Sequence, residues 1–125
     1  MALPPLLQEH IEELRNKGFE IEVKEGKEIC ILFKNYLVPE KIWTPAKTDL
    51  LIITHPTYPN SKLDMFWVDP PLSLKSKKSP NAASPDTQCE KSWQRFSWHV
   101  QSWNPAHDSL ITYLHTVNDR LNKDE

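Results

Sequence analysis

The residues of this chain that could do chemistry crowd into one run, CEKSWQRFSWHVQSW, from Cys89 to Trp103. It holds a thiol at Cys89, hydroxyls at Ser92, Ser97 and Ser102, and an imidazole at His99. A thiol is the best nucleophile of the set, because with a pKa of about 8.5 it already carries some thiolate at neutral pH. Ser97 is its rival. A serine needs a base beside it, and His99 lies two residues on, so an extended backbone would turn both side chains to one face. Cys89, Ser97 and His99 are therefore the candidate catalytic residues, and the choice between thiol and hydroxyl stays open. Against each stands an ordinary use: a cysteine at the edge of a polar loop, or a serine bonded to its own backbone. Gln94, Arg95 and Trp98 are the candidate binding residues, and the planar guanidinium of Arg95 suits two-pronged contact with a carboxylate.

Metal chemistry finds little footing. Cys30, Cys89, His55, His99 and His107 could all ligate zinc, but no CxxC, HxH or HExxH spacing occurs, so neither a metal nor another cofactor is expected. Only two glycines are present among 125 residues, and no GxGxxG or Walker motif, which argues against a nucleotide-binding fold. Asp64 and Asp69 flank an apolar run with no second catalytic group near them in sequence, and read as solvated turn residues.

The elements that must position these residues follow from periodicity. Pro4 and Pro5 precede a stripe of Leu7, Ile11 and Leu14 that ends at Gly18, an amphipathic helix with its starter and its cap. Phe19, Ile21 and Val23 then alternate with Glu20, Glu22 and Lys24; a turn at Glu25 and Gly26 leads back through Ile29 to Phe33, which makes a hairpin. After a crossing segment marked by Pro39, Ile42, Trp43 and Pro45, DLLIITHP forms a third strand and Met65 to Val68 a short fourth. The stretch 73–88 turns to Ser, Lys, Pro, Asn and Asp, and reads as a mobile surface loop. Trp93, Trp98 and Trp103 recur every fifth residue, which fits neither regular period, so the reactive run reads as an ordered loop packed by its rings. Asn104 as N-cap and Pro105 as first residue open a last helix striped by Leu110, Leu114, Val117 and Leu121. The whole is one α+β domain over 1–125: a helix, a four-stranded antiparallel meander, an active-site loop and a helix.

Bulk properties narrow the partners. A formal charge of −2 gives no basic footprint for nucleic acid, and the short run Lys75 to Lys78 sits among Ser and Pro like a solvated loop. No apolar stretch approaches the roughly 20 residues that cross a bilayer, and MALPPLLQEH has neither basic region nor cleavage site, so a cytoplasmic protein without membrane contact is expected. That setting argues against a bridge between the two cysteines. Cys30, inside EICILF, reads as a small buried hydrophobe, and Cys89 as the more accessible thiol.

The order of elements, with Tyr58 and Pro59 before the fourth strand and Trp103, Asn104 and Pro105 before the last helix, resembles the ubiquitin-conjugating (UBC) superfamily. LPPLL, TYPNSKLDMFWVDP, WQRFSWH and WNPAHDSLITYL resemble, more narrowly, its bacterial family E. The resemblance covers nearly the whole chain. It implies a UBC-like fold and a carrier that takes the C-terminus of a ubiquitin-like modifier from an activating enzyme as a thioester or oxyester and passes it to an amine. The implied partners are the modifier, the activating enzyme and a modifier-removing metalloprotease. Two departures stand out. No His-Pro-Asn triplet precedes the loop, and Asp69, Pro70 and Pro71 in its place offer no amide side chain to hold an oxyanion. Cys89 also lies further from Trp103 than the superfamily's cysteine from its tryptophan. These departures keep two other readings alive: an inactive adaptor that binds a modifier or activating enzyme, and a small domain with no ubiquitin-like partner.

Overall fold

A computed structural model describes residues 4–58, 60, 63, 65–77, 80, 83–89, 91–97 and 103–123. Helix α1 (Pro5–Asn16) buries Leu7, Ile11 and Leu14, the predicted stripe. It ends because Gly18 takes φ +103°, which lets the Gly18 and Phe19 amides donate back to the Arg15 and Leu14 carbonyls. Arg15 also donates to the Ile21 carbonyl at 2.9 Å, tying the helix end to the strand that follows.

Strands β1 (Glu20–Lys24) and β2 (Ile29–Leu37) form the expected hairpin. A two-residue strand β3 (Trp43–Thr44) precedes β4 (Lys47–Thr54), and β5 (Met65–Asp69) runs antiparallel to β4. The chain then departs from expectation. Residues 73–88, expected as a loop, contain β6 (Ser73–Leu74), paired with β3, and β7 (Ala83–Gln88). The expected active-site loop is largely a strand, β8 (Lys91–Ser97). The main sheet therefore has six strands rather than four, ordered β1-β2-β4-β5-β8-β7, with every pairing antiparallel. β7 lies at the edge and β8 returns between it and β5. The stretch looked irregular because β8 is covered on both faces, with Phe96 buried on one and Trp93 on the other, so no alternation shows.

Helix α2 (Leu110–Leu121) begins five residues later than Asn104 suggested. Asn104 caps a single turn instead, its Oδ1 accepting from the Ala106 amide and its carbonyl from the His107 and Asp108 amides. Ser109 and Thr112 then form a reciprocal capping box that starts the helix proper. The predicted stripe of Leu110, Leu114, Val117 and Leu121 is buried as read.

Both helices pack on one face of the sheet, against Ile31, Phe33, Leu50, Ile52, Phe66, Val68 and Phe96. Trp43 is sealed here, its indole donating to the Leu121 carbonyl at 2.7 Å, while the buried guanidinium of Arg120 lies over the Trp43 and Phe96 rings. Tyr58 sets both helices at once: its Oη accepts from the Leu110 amide and shares a hydrogen bond with His10 Nδ1, each at 2.7 Å. The opposite face carries a separate cluster, Leu51, Trp67 and Trp93, with Cys30, Leu32, Ile53, Met65 and Cys89 around it. No helix among the described residues is long and apolar enough to cross a membrane.

Candidate functional site on the outer sheet face

Strand alternation decides what this second face holds. In β2, Ile29, Ile31 and Phe33 take the helix side, which sends Cys30, Leu32 and Lys34 to the outer side. Opposite them in register stand Ile53 and Leu51 of β4. The β7–β8 hairpin turns through Cys89 between Gln88 and Lys91, which face each other across the two strands. Cys89 has φ +49°, the left-handed conformation that tight hairpin turns require and that side chains other than glycine adopt at a cost.

From that turn Cys89 reaches Cys30, and the two form a disulfide spanning 59 residues of sequence. This corrects the expectation of unbridged cysteines. Cys30 is a half-buried outer-face residue rather than a core hydrophobe, and the hairpin tip bends across the sheet to meet it. β8 pairs with β5 only from Gln94 to Ser97, so Lys91 to Trp93 are free of that neighbour and can cross the face. Three other contacts hold the hairpin down. Trp67 Nε1 donates to Asp86 Oδ2 at 2.9 Å, Lys91 pairs with Asp69 at 2.6 Å, and Trp93 covers Leu51 while its indole donates to the Gln88 carbonyl.

Beside the disulfide lies an open cleft of about 410 Å³, lined by Leu32, Leu51 and Trp93 and rimmed by Lys24, Lys34 and Lys91. Glu22 and Asp49 share the rim. Asp49 receives the Asn35 amide and the Lys34 ammonium. Partial burial pulls its carboxyl pKa up, but those two bonds and the lysine charge hold it below the usual aspartate value. The same bond to Asp49 raises the Lys34 pKa, so that ammonium stays charged.

The candidate residues are thus distributed along a strand rather than gathered. Cys89 is at one end of β8 and Ser97 at the other; from Lys91 to Ser97 an extended strand spans about 20 Å. Ser97 is exposed opposite Met65, and Ser92 is exposed opposite Thr87. His99, Trp98, Ser102 and Asp64 lie outside the described residues. Gln94 faces away from Cys89, and its carboxamide bonds the amide and carbonyl of Leu72 at 2.8 and 3.1 Å, fixing the chain after Asp69 and Pro70. Arg95 lies on the outer face, donating to Ser84 Oγ and standing 3.8 Å from Asp86. Asp69 directs its carboxylate to Lys91. Among the described residues no three His, Cys, Asp or Glu side chains are grouped to hold a metal.

Sequence reasoning missed Asp69, Asp86 and Lys91 as parts of this face, and their roles depend on pairings between strands distant in sequence. Bonds from Trp67 and Gln88 keep the Asp86 carboxyl below the usual aspartate pKa.

The sequence model of prokaryotic E2 family E matches residues 6–124. No curated protein and no solved structure matches the chain.

Proposed function

Because the chain belongs to prokaryotic E2 family E, we propose that it carries a ubiquitin-like modifier on reduced Cys89 as a thioester and hands it to an amine. The observation that supports the choice of residue is the setting of Cys89. It sits half-buried at a hairpin tip and borders an open cleft lined by Leu32, Leu51 and Trp93, where a modifier's C-terminal segment can reach the sulfur once the disulfide is reduced. Ser97 faces Met65 and lies two residues from Arg95 on the same face.

In this reading the Cys89 thiolate attacks the carbonyl carbon of the modifier's thioester with the activating enzyme. A new C–S bond forms, and the old one breaks with its electron pair leaving on the activating enzyme's sulfur. An acceptor amine then attacks the same carbon, Cys89 departs as thiolate, and the ammonium proton passes to solvent as the amide forms. Arg95 joins Lys24, Lys34 and Lys91 as an outer-face cation that can meet the modifier's acidic groups.

A second reading is favoured by a specific observation. With Cys89 held by Cys30, the Asp69 carboxylate bound to Lys91 and the Gln88 carboxamide bonded to Asp86, no free thiol and no uncommitted side-chain amide stand at the tip among the described residues. An adaptor that binds the modifier or activating enzyme without accepting it would look the same. The test is to reduce the protein with a phosphine, which spares thioesters, and to add an activating enzyme, its modifier and ATP. An adduct on Cys89 released by thiol is expected, with Cys89→Ala abolishing it and Ser97→Ala leaving it intact. A thiol-resistant, hydroxylamine-labile adduct on Ser97 would replace the thioester by an oxyester. Binding without any adduct would establish the adaptor.

A further inference from the structure

We propose that Cys30 and Cys89 form a reversible dithiol–disulfide site, a latch that closes the acceptor thiol and pins the hairpin tip until a dithiol reductant opens it. The inference rests on the reading of Cys89 as acceptor, but its geometry stands apart from that chemistry.

Three features separate this bond from a staple of the fold. It lies on the outer face, and the helix-packed core of α1, α2 and the sheet contains no cysteine. Both cysteines are only partly buried and border an open cleft, so a reductant can reach the sulfurs without unfolding the core. The part it restrains has fewer strand neighbours than the rest of β8, since Lys91 to Trp93 pair with β7 and not with β5. The left-handed φ at Cys89 gives the tip a conformation that the closed bond helps to hold.

The exchange balances with a dithiol. One reductant thiolate attacks either sulfur, forming a mixed disulfide and releasing the other cysteine as thiolate. The second reductant thiol closes on the mixed disulfide, so that two electrons and two protons pass to the protein and the reductant leaves as a disulfide. In the closed state the Cys89 sulfur is bonded to Cys30 and offers no thiolate to attack an acyl carbon; in the open state it is free and the tip can move.

The test alkylates native protein and locates the adducts by mass spectrometry, alongside amide exchange and circular dichroism. Oxidised protein should take up no reagent at either cysteine. After dithiol treatment without denaturant it should take up one at each, keep its secondary structure, and exchange the amides of Lys91 to Trp93 at least about tenfold faster. Cys30→Ser should label at Cys89 and exchange fast with no reductant. A bond that yields only in denaturant, or an opening that leaves exchange unchanged, would overturn the latch. Charging separates the two claims. If Cys30→Ser labels at Cys89 yet accepts no modifier, the acceptor reading falls while the latch stands on labelling and exchange. If oxidised wild type charges as well as reduced, the latch falls.

Discussion

Deleting one oxygen from Tyr58 tests how the helices are set on the sheet. Leu110 is the first residue of α2, and the Ser109 hydroxyl already accepts from the Ile111 and Thr112 amides. The Leu110 amide turns instead to Tyr58 Oη, at 2.7 Å in buried surroundings. Tyr58→Phe keeps the ring and its packing and removes the acceptor. A buried amide left without a partner costs about 1–3 kcal/mol, and half-buried His10, able to turn to water, adds at most about 0.5 kcal/mol. The expected loss is therefore about 2 kcal/mol, which for a chain of 125 residues lowers the melting temperature by about 8 °C. Urea unfolding should show a lower midpoint at unchanged slope. Burial raises the phenol pKa, against the pull of the Leu110 amide and Ser109, so the loss should be flat from about pH 6 to 9. A variant within about 0.5 kcal/mol of the parent would refute the reasoning, since water would then reach the Leu110 amide.

Other outcomes follow from the same geometry. Gln94→Ala removes both bonds to Leu72 and should cost about 2 kcal/mol in urea unfolding, an effect independent of any modifier. Asp49 has a lowered pKa, so its contribution is complete above the ordinary value of 3.8 and is lost as pH falls through the lower folded value. Unfolding midpoints measured from pH 5 to 2 should therefore drop more steeply in wild type than in Asp49→Asn. The same pair has a raised Lys34, whose share is present below the ordinary 10.5 and is lost as pH rises through the folded value. Reducing the disulfide frees a loop of 59 residues, which the chain-entropy relation sets at about 4 kcal/mol, and the helical signal should survive that loss. Collapse of the far-ultraviolet spectrum on reduction would make the bond a fold-holding staple.

What could be read from the sequence was local. The stripes Leu7, Ile11, Leu14 and Leu110, Leu114, Val117, Leu121 follow helical spacing, and the β1–β2 hairpin follows alternation around Glu25 and Gly26, so each is written within a short window. Even there a neighbour could win: Asn104 looked like the N-cap, but the Ser109–Thr112 box is better placed to satisfy the first amides of α2. The resemblance carried the family where periodicity carried only the class.

The outer face was illegible for a different reason. ASPDTQ has no apolar side chain larger than alanine and proline to mark it as a strand. It becomes β7 by pairing with β8, which in turn needs β5 beside it, and Asp86 acquires meaning only when Trp67 arrives from nineteen residues earlier. The disulfide repeats this logic at greater range. Two cysteines in 125 residues say little about pairing, because it takes strands distant in sequence to bring the hairpin tip over β2, where Trp93 also packs on Leu51. The extended β8 separates Cys89 from Ser97, which sequence had placed in one cluster, and Cys89 borders the cleft with its charged rim. The hairpin's position on this face is held jointly by the disulfide, the Trp67–Asp86 bond, the Lys91–Asp69 pair and the packing of Trp93. A variant that weakens Trp93 packing should therefore alter the reactivity of Cys89 even though it touches no nucleophile.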